Sequence, residues 1–120
     1  MTGLVVVTHA GLATSLLAAV SMITGSSDFS EAVELHPDDP ADELVARIGK
    51  ALGRVGTDGA IIMTDMFGGT PSNAAMSFLQ EGKVEVVTGV NLPMLVEYFS
   101  RRERMPLEEL CASLQRCGRE

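Results

Sequence analysis

The stretch Leu4-Val5-Val6-Val7-Thr8-His9-Ala10-Gly11 sets the architecture that we predict for the whole chain. It begins with four apolar residues, three of them β-branched valines, which favour a buried strand over a helix. The small residues at 10–11 indicate a turn, and the apolar positions after them recur at helical spacing. His9 is therefore expected at the carboxyl end of a strand, facing the crevice where open α/β sheets bind ligands.

Short apolar strands alternate with helical patterns along the rest of the chain. The later strands are predicted at 32–35, 60–64 and 84–88. The helices are predicted at 12–23, 40–55, 72–79, 92–99 and 106–116, with Thr70 as the N-cap of the third and Gly118 ending the last. This alternation is typical of a parallel sheet covered on both faces. We predict an α/β fold, a three-layer αβα arrangement with a four-stranded, mainly parallel sheet in the order 2-1-3-4, as a single domain over residues 1–120.

Composition limits the classes of partner and the location of the protein. The net charge is −7, which disfavours binding to nucleic acid or anionic membranes. Carboxylates crowd residues 28–43, where they form either a solvated edge or a docking surface for a basic partner. Cys111 and Cys117 are too few for a disulfide framework or a metal site, and we expect reduced thiols. Because no apolar run reaches about 18 residues and no basic segment precedes the first one, we predict a cytoplasmic protein.

His9 and Asp65 are predicted to face each other across the crevice. In the strand order 2-1-3-4, the first and third strands are neighbours, and their carboxyl ends flank the switch point of the sheet. Asp65 directly follows the third predicted strand, just as His9 ends the first. A neutral imidazole is a good nucleophile. A carboxylate that accepts the N–H of its second ring nitrogen would fix the tautomer and stabilise the developing charge.

A third element, Gly68-Gly69-Thr70-Pro71-Ser72, follows this carboxylate. The two glycines let the backbone approach a ligand, and the free N–H groups at a helix start attract anions. The hydroxyls of Thr8, Thr70 and Ser72 could add donors. Because no Lys or Arg is close in sequence, neutral donors would hold a phosphoryl group, which suits a group that must be passed on. We therefore predict reversible phosphoryl carriage, with the site residues His9, Asp65, Gly68, Gly69, Thr70 and Ser72.

Each of these features has an ordinary structural interpretation when it is taken alone. A single histidine at a strand end is more often a turn residue, and Gly68-Gly69 alone indicates only a turn. His36, beside Pro37, needs no functional role. Asn91 either supports the crevice or caps the following helix, and capping is favoured. The scattered methionines are predicted to fill the core, among them Met63, Met66, Met76 and Met94.

Three segments of the chain resemble the mannose-family enzyme IIA of the bacterial phosphoenolpyruvate-dependent sugar phosphotransferase system. They are Val5–His9 with Leu12-Ala13, Thr64–Asn73 and Gly89–Glu97. Together they extend the resemblance over nearly the whole chain. The resemblance departs from the family pattern at Ala10, where glycine is common after the histidine, and at Thr70, where serine is common.

The resemblance implies a role for each part of the predicted site. It implies that His9 accepts a phosphoryl group from phosphorylated HPr through Nε2 and passes it to an enzyme IIB on a separate chain. Asp65 would hold the other ring nitrogen, and the Gly69-Thr70 region would bind the phosphoryl oxygens. The resemblance implies no metal and no organic cofactor, and membrane permease components are engaged only indirectly. Family members usually continue beyond the position of Glu120 into a strand that is exchanged between subunits of a dimer. Whether this chain forms a homodimer in that way is therefore left open.

Other functions also stay open at this point. A phosphorylated His9 could act as a regulatory signal in an incomplete phosphotransferase system, and a non-catalytic anion-binding module is the alternative without chemistry. The phosphocarrier subunit of dihydroxyacetone kinase is disfavoured, because it shares the fold and the histidine but not the Gly-Gly-Thr-Pro and Asn-Leu-Pro-Met segments. A two-component receiver needs an acidic pair after its first strand to hold Mg²⁺, whereas Thr8-His9 stands at that position here.

Overall fold

The computed structural model describes residues 1–119 and shows, within them, a four-stranded sheet with helices on both faces. The strands are β1 (Gly3–His9), β2 (Ser30–Leu35), β3 (Ala60–Thr64) and β4 (Val84–Thr88). The helices are α1 (Leu12–Thr24), α2 (Ala41–Val55), α3 (Thr70–Met76), α4 (Leu92–Arg101) and α5 (Leu107–Arg119). The strands pair in parallel in the order β2-β1-β3-β4, which confirms the predicted fold class and strand order.

Two apolar cores, one on each face of the sheet, hold the helices in place. Alternate residues of a strand point to opposite faces. Leu4 and Val6 of β1 pack with α1, α4 and α5, whereas Val5 and Val7 pack with α2 and α3. Burying one such side chain contributes about 1.5–3 kcal/mol, so β1 anchors both layers. Within residues 1–119, no helix is both long and apolar enough to cross a bilayer.

The bounds of helices α3 and α5 differ most from the sequence prediction. Helix α3 has Gly69 as its N-cap, with Thr70 already helical, and it ends at Met76, earlier than predicted. The N–H groups of residues 77–79 bond to carbonyls three residues back, which tightens the chain into turns. Helix α5 continues through Gly118 instead of ending there. A Cβ at Gly118 would lie 2.7 Å from the Met94 sulfur, so a larger residue there would displace the Met94 side chain.

Arg102 packs at the amino end of the sheet, where it is 8% exposed. Its guanidinium carbon lies 4.8 Å from the ring centroid of Phe99, and 5.6 Å and 6.0 Å from those of Tyr98 and Phe29. One guanidinium N–H also donates to the Asp28 carbonyl. These contacts tie the end of α4 to the start of β2.

Candidate functional site

The candidate site lies at the carboxyl ends of β1 and β3, the two central strands. His9 is the last residue of β1, and Asp65 follows Thr64, the last residue of β3. Val7 pairs with Thr64, so the residues just beyond this pair lie near each other. The Asp65 Oδ2 atom lies 2.8 Å from His9 Nδ1 and accepts the His9 backbone N–H at 3.0 Å. The structure therefore places these two residues in direct contact.

The charge of Asp65 follows from its surroundings. Its side chain is 14% exposed, and this burial alone would raise the pKa of the carboxyl group. The hydrogen bonds from the His9 backbone N–H and ring outweigh burial, and the net effect lowers the pKa below its ordinary value. The Met66 N–H adds a bond to the second oxygen, Oδ1, at 3.0 Å. Asp65 is therefore an ionised acceptor at neutral pH.

An ionised carboxylate can only accept hydrogen bonds, and this fixes the tautomer of a neutral His9 ring. The 2.8 Å contact requires the proton on Nδ1, so the lone pair of the neutral ring lies on Nε2. The His9 side chain is 48% exposed, which leaves the ring accessible. The arrangement can therefore present a nucleophilic nitrogen to a group outside the protein.

The turn after β3 packs against the imidazole. Gly68 has a φ of 87°, a left-handed conformation that favours glycine. Gly69 lies so close that an added Cβ would be 3.3 Å from His9 Cε1. Thr70 is exposed, whereas Ser72 is only 1% exposed. The structure thus brings the glycine turn to the histidine, leaves Thr70 at the surface and places Ser72 inside.

The other polar residues near the crevice serve the fold. The buried Thr8 hydroxyl accepts the Ala13 N–H at 2.8 Å, so its oxygen caps the start of α1 rather than facing a ligand. The Asn91 side chain accepts the Met94 N–H at 3.0 Å, which confirms the capping interpretation. Within residues 1–119, no group of three or more His, Cys, Asp or Glu side chains is placed to hold a metal ion.

Two features beside His9 were missed from the sequence. Ala10 has a φ of 51°, in the left-handed region, and the glycine common at this position in the family was the available signal. The register of β1 and β2 also places Leu35 opposite His9. An apolar cavity of about 230 Å³ adjoins the ring there, lined by Ala10, Leu35, His36 and Pro37.

The methionine prediction is only partly right. Met63 and Met94 are buried, but Met66 and Met76 are 56% and 45% exposed. Met66 belongs to the turn beside the site, together with Phe67, which is 79% exposed. The surface next to the histidine thus presents large apolar side chains to solvent.

The fold and the site together define a class of protein: a parallel α/β fold with a histidine–carboxylate pair at the switch point of the sheet. The family model for EIIA-man, described as the PTS system fructose IIA component, matches residues 3–115. The chain therefore belongs to the mannose-family enzyme IIA components of the phosphotransferase system. This finding confirms the resemblance seen in the sequence motifs.

Individual relatives agree with the family assignment. The chain is 32% identical over 120 residues to the mannose-specific EIIAB component of Escherichia coli (strain K12), a match that covers 98% of this chain and 37% of that protein. It is 31% identical to the fructose-specific EIIA component of Bacillus subtilis (strain 168), covering 96% and 80%. The solved mannose/sorbose specific IIA subunit from Enterococcus faecalis superimposes with a TM-score of 0.87 at 28% identity, covering 98% and 89%. The chain thus spans only 37% of the length of the EIIAB relative.

Proposed function

We propose that residues 1–120 act as one phosphocarrier unit in sugar uptake, with His9 as the phosphoryl acceptor. One observation carries this proposal: an ionised carboxylate holds Nδ1 of a half-exposed histidine at 2.8 Å and leaves Nε2 available to react. The names of the relatives, which are phosphotransferase-system components for mannose and for fructose, support the same class of reaction.

The proposed step moves one phosphoryl group from phosphorylated HPr to His9. The Nε2 lone pair forms the new bond to phosphorus, while the bond between phosphorus and the donor breaks and its electron pair returns to the donor. The His9 ring becomes positively charged, its proton stays on Nδ1, and Asp65 Oδ2 stabilises that charge. A hydrogen bond of this charge-assisted kind contributes about 1.5–3 kcal/mol. The same steps in reverse pass the group to an enzyme IIB on a separate chain.

We assign the phosphoryl oxygens to the turn beside the ring. Gly68 and Gly69 carry no side chain between the backbone and the imidazole, and the N–H groups at the start of α3 follow directly. The exposed Thr70 hydroxyl is the more accessible side-chain donor, and Ser72 donates from inside the protein. These residues include no Lys or Arg, and neutral donors hold an anion loosely enough for onward transfer.

Labelling with phosphoenolpyruvate, enzyme I and HPr tests the proposal. We expect wild-type protein to acquire an acid-labile, base-stable phosphate and His9→Ala to acquire none. His36→Ala is the matched control, since His36 is the second of the two histidines and lies exposed at the same end of the sheet. An unlabelled wild-type protein, or a labelled His9→Ala variant, contradicts the proposal.

The remaining predictions concern other chains and the cell. Addition of an enzyme IIB is expected to discharge the label, whereas a label that stays on the protein would favour the regulatory alternative. Engagement of permease components, a homodimer and a cytoplasmic location stay predictions. Sedimentation equilibrium measures the oligomeric state directly.

A further inference from the structure

Thr64 lies buried at the carboxyl end of β3, the strand beside β1 and His9. It is the last residue of β3, it is fully buried, and it directly precedes Asp65. In a parallel sheet, paired residues point to the same face. Thr64 pairs with Val7, and His9 stands two residues after Val7, so the side chains of Thr64 and His9 lie on the same face. Helix α3 packs over this face of the sheet.

The hydroxyl of Thr64 is unusual among the buried groups. Within residues 1–119, Thr64 Oγ1 is fully buried and has no hydrogen-bond partner. Its backbone is satisfied, because the Thr64 carbonyl accepts the Val90 N–H at 2.9 Å. A valine has nearly the same shape and would avoid the cost of burying an unpaired hydroxyl. Since the four preceding residues of β3 are apolar, the hydroxyl at this position calls for a functional explanation.

Two neighbours of Thr64 on this face are apolar, and its pair on β4 is Thr88. Ile62, two residues earlier on the same face, and Val7, on the neighbouring strand, both belong to the core under α2 and α3. Beyond Thr64 the strand ends, and the crevice with His9 and Gly69 begins. From strand spacings, the Cα atoms of Thr64 and His9 are about 8 Å apart. This separation is short enough for a phosphorylated His9 ring turned towards Thr64 to reach its hydroxyl.

We propose that the Thr64 hydroxyl donates a hydrogen bond to a phosphoryl oxygen of phosphorylated His9, a bond that is made only in the phosphorylated state. This inference rests on the proposed function and adds a donor that the sequence did not single out. No covalent bond forms or breaks at Thr64. The hydroxyl exchanges an unpaired state for a bond to an anion, so it favours phosphorylation. Because Thr64 is fully buried, this bond requires the exposed residues at 66–68 to move as the phosphoryl group enters.

The variants Thr64→Val and Thr64→Ser test this role, and Thr88→Val is the matched control. Thr88 is also a threonine and is the β4 residue that pairs with Thr64. It therefore lies at the same level of the sheet but one strand further from His9. Two quantities are measured for each variant: the midpoint of urea denaturation without phosphorylation, and the equilibrium constant for phosphoryl transfer from phosphorylated HPr.

The proposal predicts opposite effects on the two quantities. Thr64→Val should keep or raise the denaturation midpoint, since it removes an unpaired buried hydroxyl. It should lower the transfer equilibrium constant about 10- to 100-fold, the range expected for a hydrogen bond to a charged group. Thr64→Ser should recover most of this loss, and Thr88→Val should leave the equilibrium constant within about twofold of wild type.

Two results would overturn the proposal. One is a wild-type equilibrium constant in Thr64→Val, which means that the hydroxyl does not reach the phosphoryl group. The other is a clear loss of stability in Thr64→Val, which means that the hydroxyl is already bonded in the unphosphorylated protein. Failure of the proposed function is distinguishable from both, because wild-type protein itself would then acquire no label.

Discussion

Replacing Asp65 with asparagine removes the negative charge beside His9 and keeps the shape of the side chain. The amide oxygen can still accept a hydrogen bond, so the ring stays near its present position. The variant loses the attraction between a full negative charge and the positive ring that forms as Nε2 bonds to phosphorus. Because Asp65 is only 14% exposed, water screens this attraction weakly.

The size of the effect follows from the single contact at 2.8 Å. A hydrogen bond to a charged partner contributes about 1.5–3 kcal/mol, and a neutral one about 1 kcal/mol. The difference, about 0.5–2 kcal/mol in the transition state, slows transfer about 2- to 30-fold. Rapid-quench measurement of label arriving from phosphorylated HPr gives this rate. Asp38→Asn, which neutralises an exposed carboxylate after β2 at the same end of the sheet, should transfer at the wild-type rate.

A rate for Asp65→Asn within about twofold of wild type would refute this reasoning. The dependence of stability on pH gives a second check. The pKa of Asp65 is lower in the folded protein than its ordinary value of 3.8. Its contribution to stability is therefore complete above that value and disappears as the pH falls through the lower folded pKa. In urea denaturation, the free energies of unfolding of wild type and Asp65→Asn should differ more at neutral pH than in strong acid. An equal difference at both would contradict the lowered pKa of Asp65.

Three further substitutions test the backbone and the fold. Ala10→Gly should raise the free energy of unfolding by about 0.5–1 kcal/mol, because glycine adopts a φ of 51° without strain. The control Ala46→Gly, on the exposed face of α2, should lower it by about 1 kcal/mol. A destabilised Ala10→Gly variant would be inconsistent with the left-handed conformation of residue 10. Gly69→Ala should slow phosphoryl transfer about tenfold with little change in stability, because its Cβ, 3.3 Å from His9 Cε1, shifts the ring away from the incoming phosphoryl group. A wild-type rate would show that the ring tolerates the methyl group. Arg102→Leu should lower the free energy of unfolding, measured by urea denaturation, by about 2–3 kcal/mol. It removes the cation beside three aromatic rings and the donor to the Asp28 carbonyl. A loss below about 1 kcal/mol would contradict this account.

Local patterns made most of the fold predictable. Continuous apolar runs at β1 and β3, and helical spacing after each, are set by the residues themselves. The helix ends were less predictable, because they depend on contacts between distant elements. Helix α5 continues through Gly118, which packs against Met94 of α4, and no local signal reports that contact.

The candidate site could be predicted down to its two central residues. His9 and Asp65 end neighbouring strands, and the rule that parallel strands align their carboxyl ends was enough to pair them. The roles expected of individual hydroxyls were harder to predict. Thr8 caps α1, Ser72 is buried, and Thr64 keeps an unpaired hydroxyl, although all three belong to segments that the sequence had marked.

The sequence by itself determined the alternation of strands and helices and the histidine–carboxylate pair, because apolar periodicity and strand ends are properties of short segments. The strand order followed from the order usual for short α/β folds, and the family followed from the resemblance of three motifs. Only the tertiary structure decided how these groups meet: that one oxygen of Asp65 serves both the backbone and the ring of His9, and that Gly69 contacts the ring edge. It also decided that the Thr64 hydroxyl lies buried without a partner. Hydrogen bonds and contacts of this kind depend on differences of a few tenths of an ångström between atoms far apart in the chain. Such distances follow from the packing of the whole molecule and are not encoded in any local pattern.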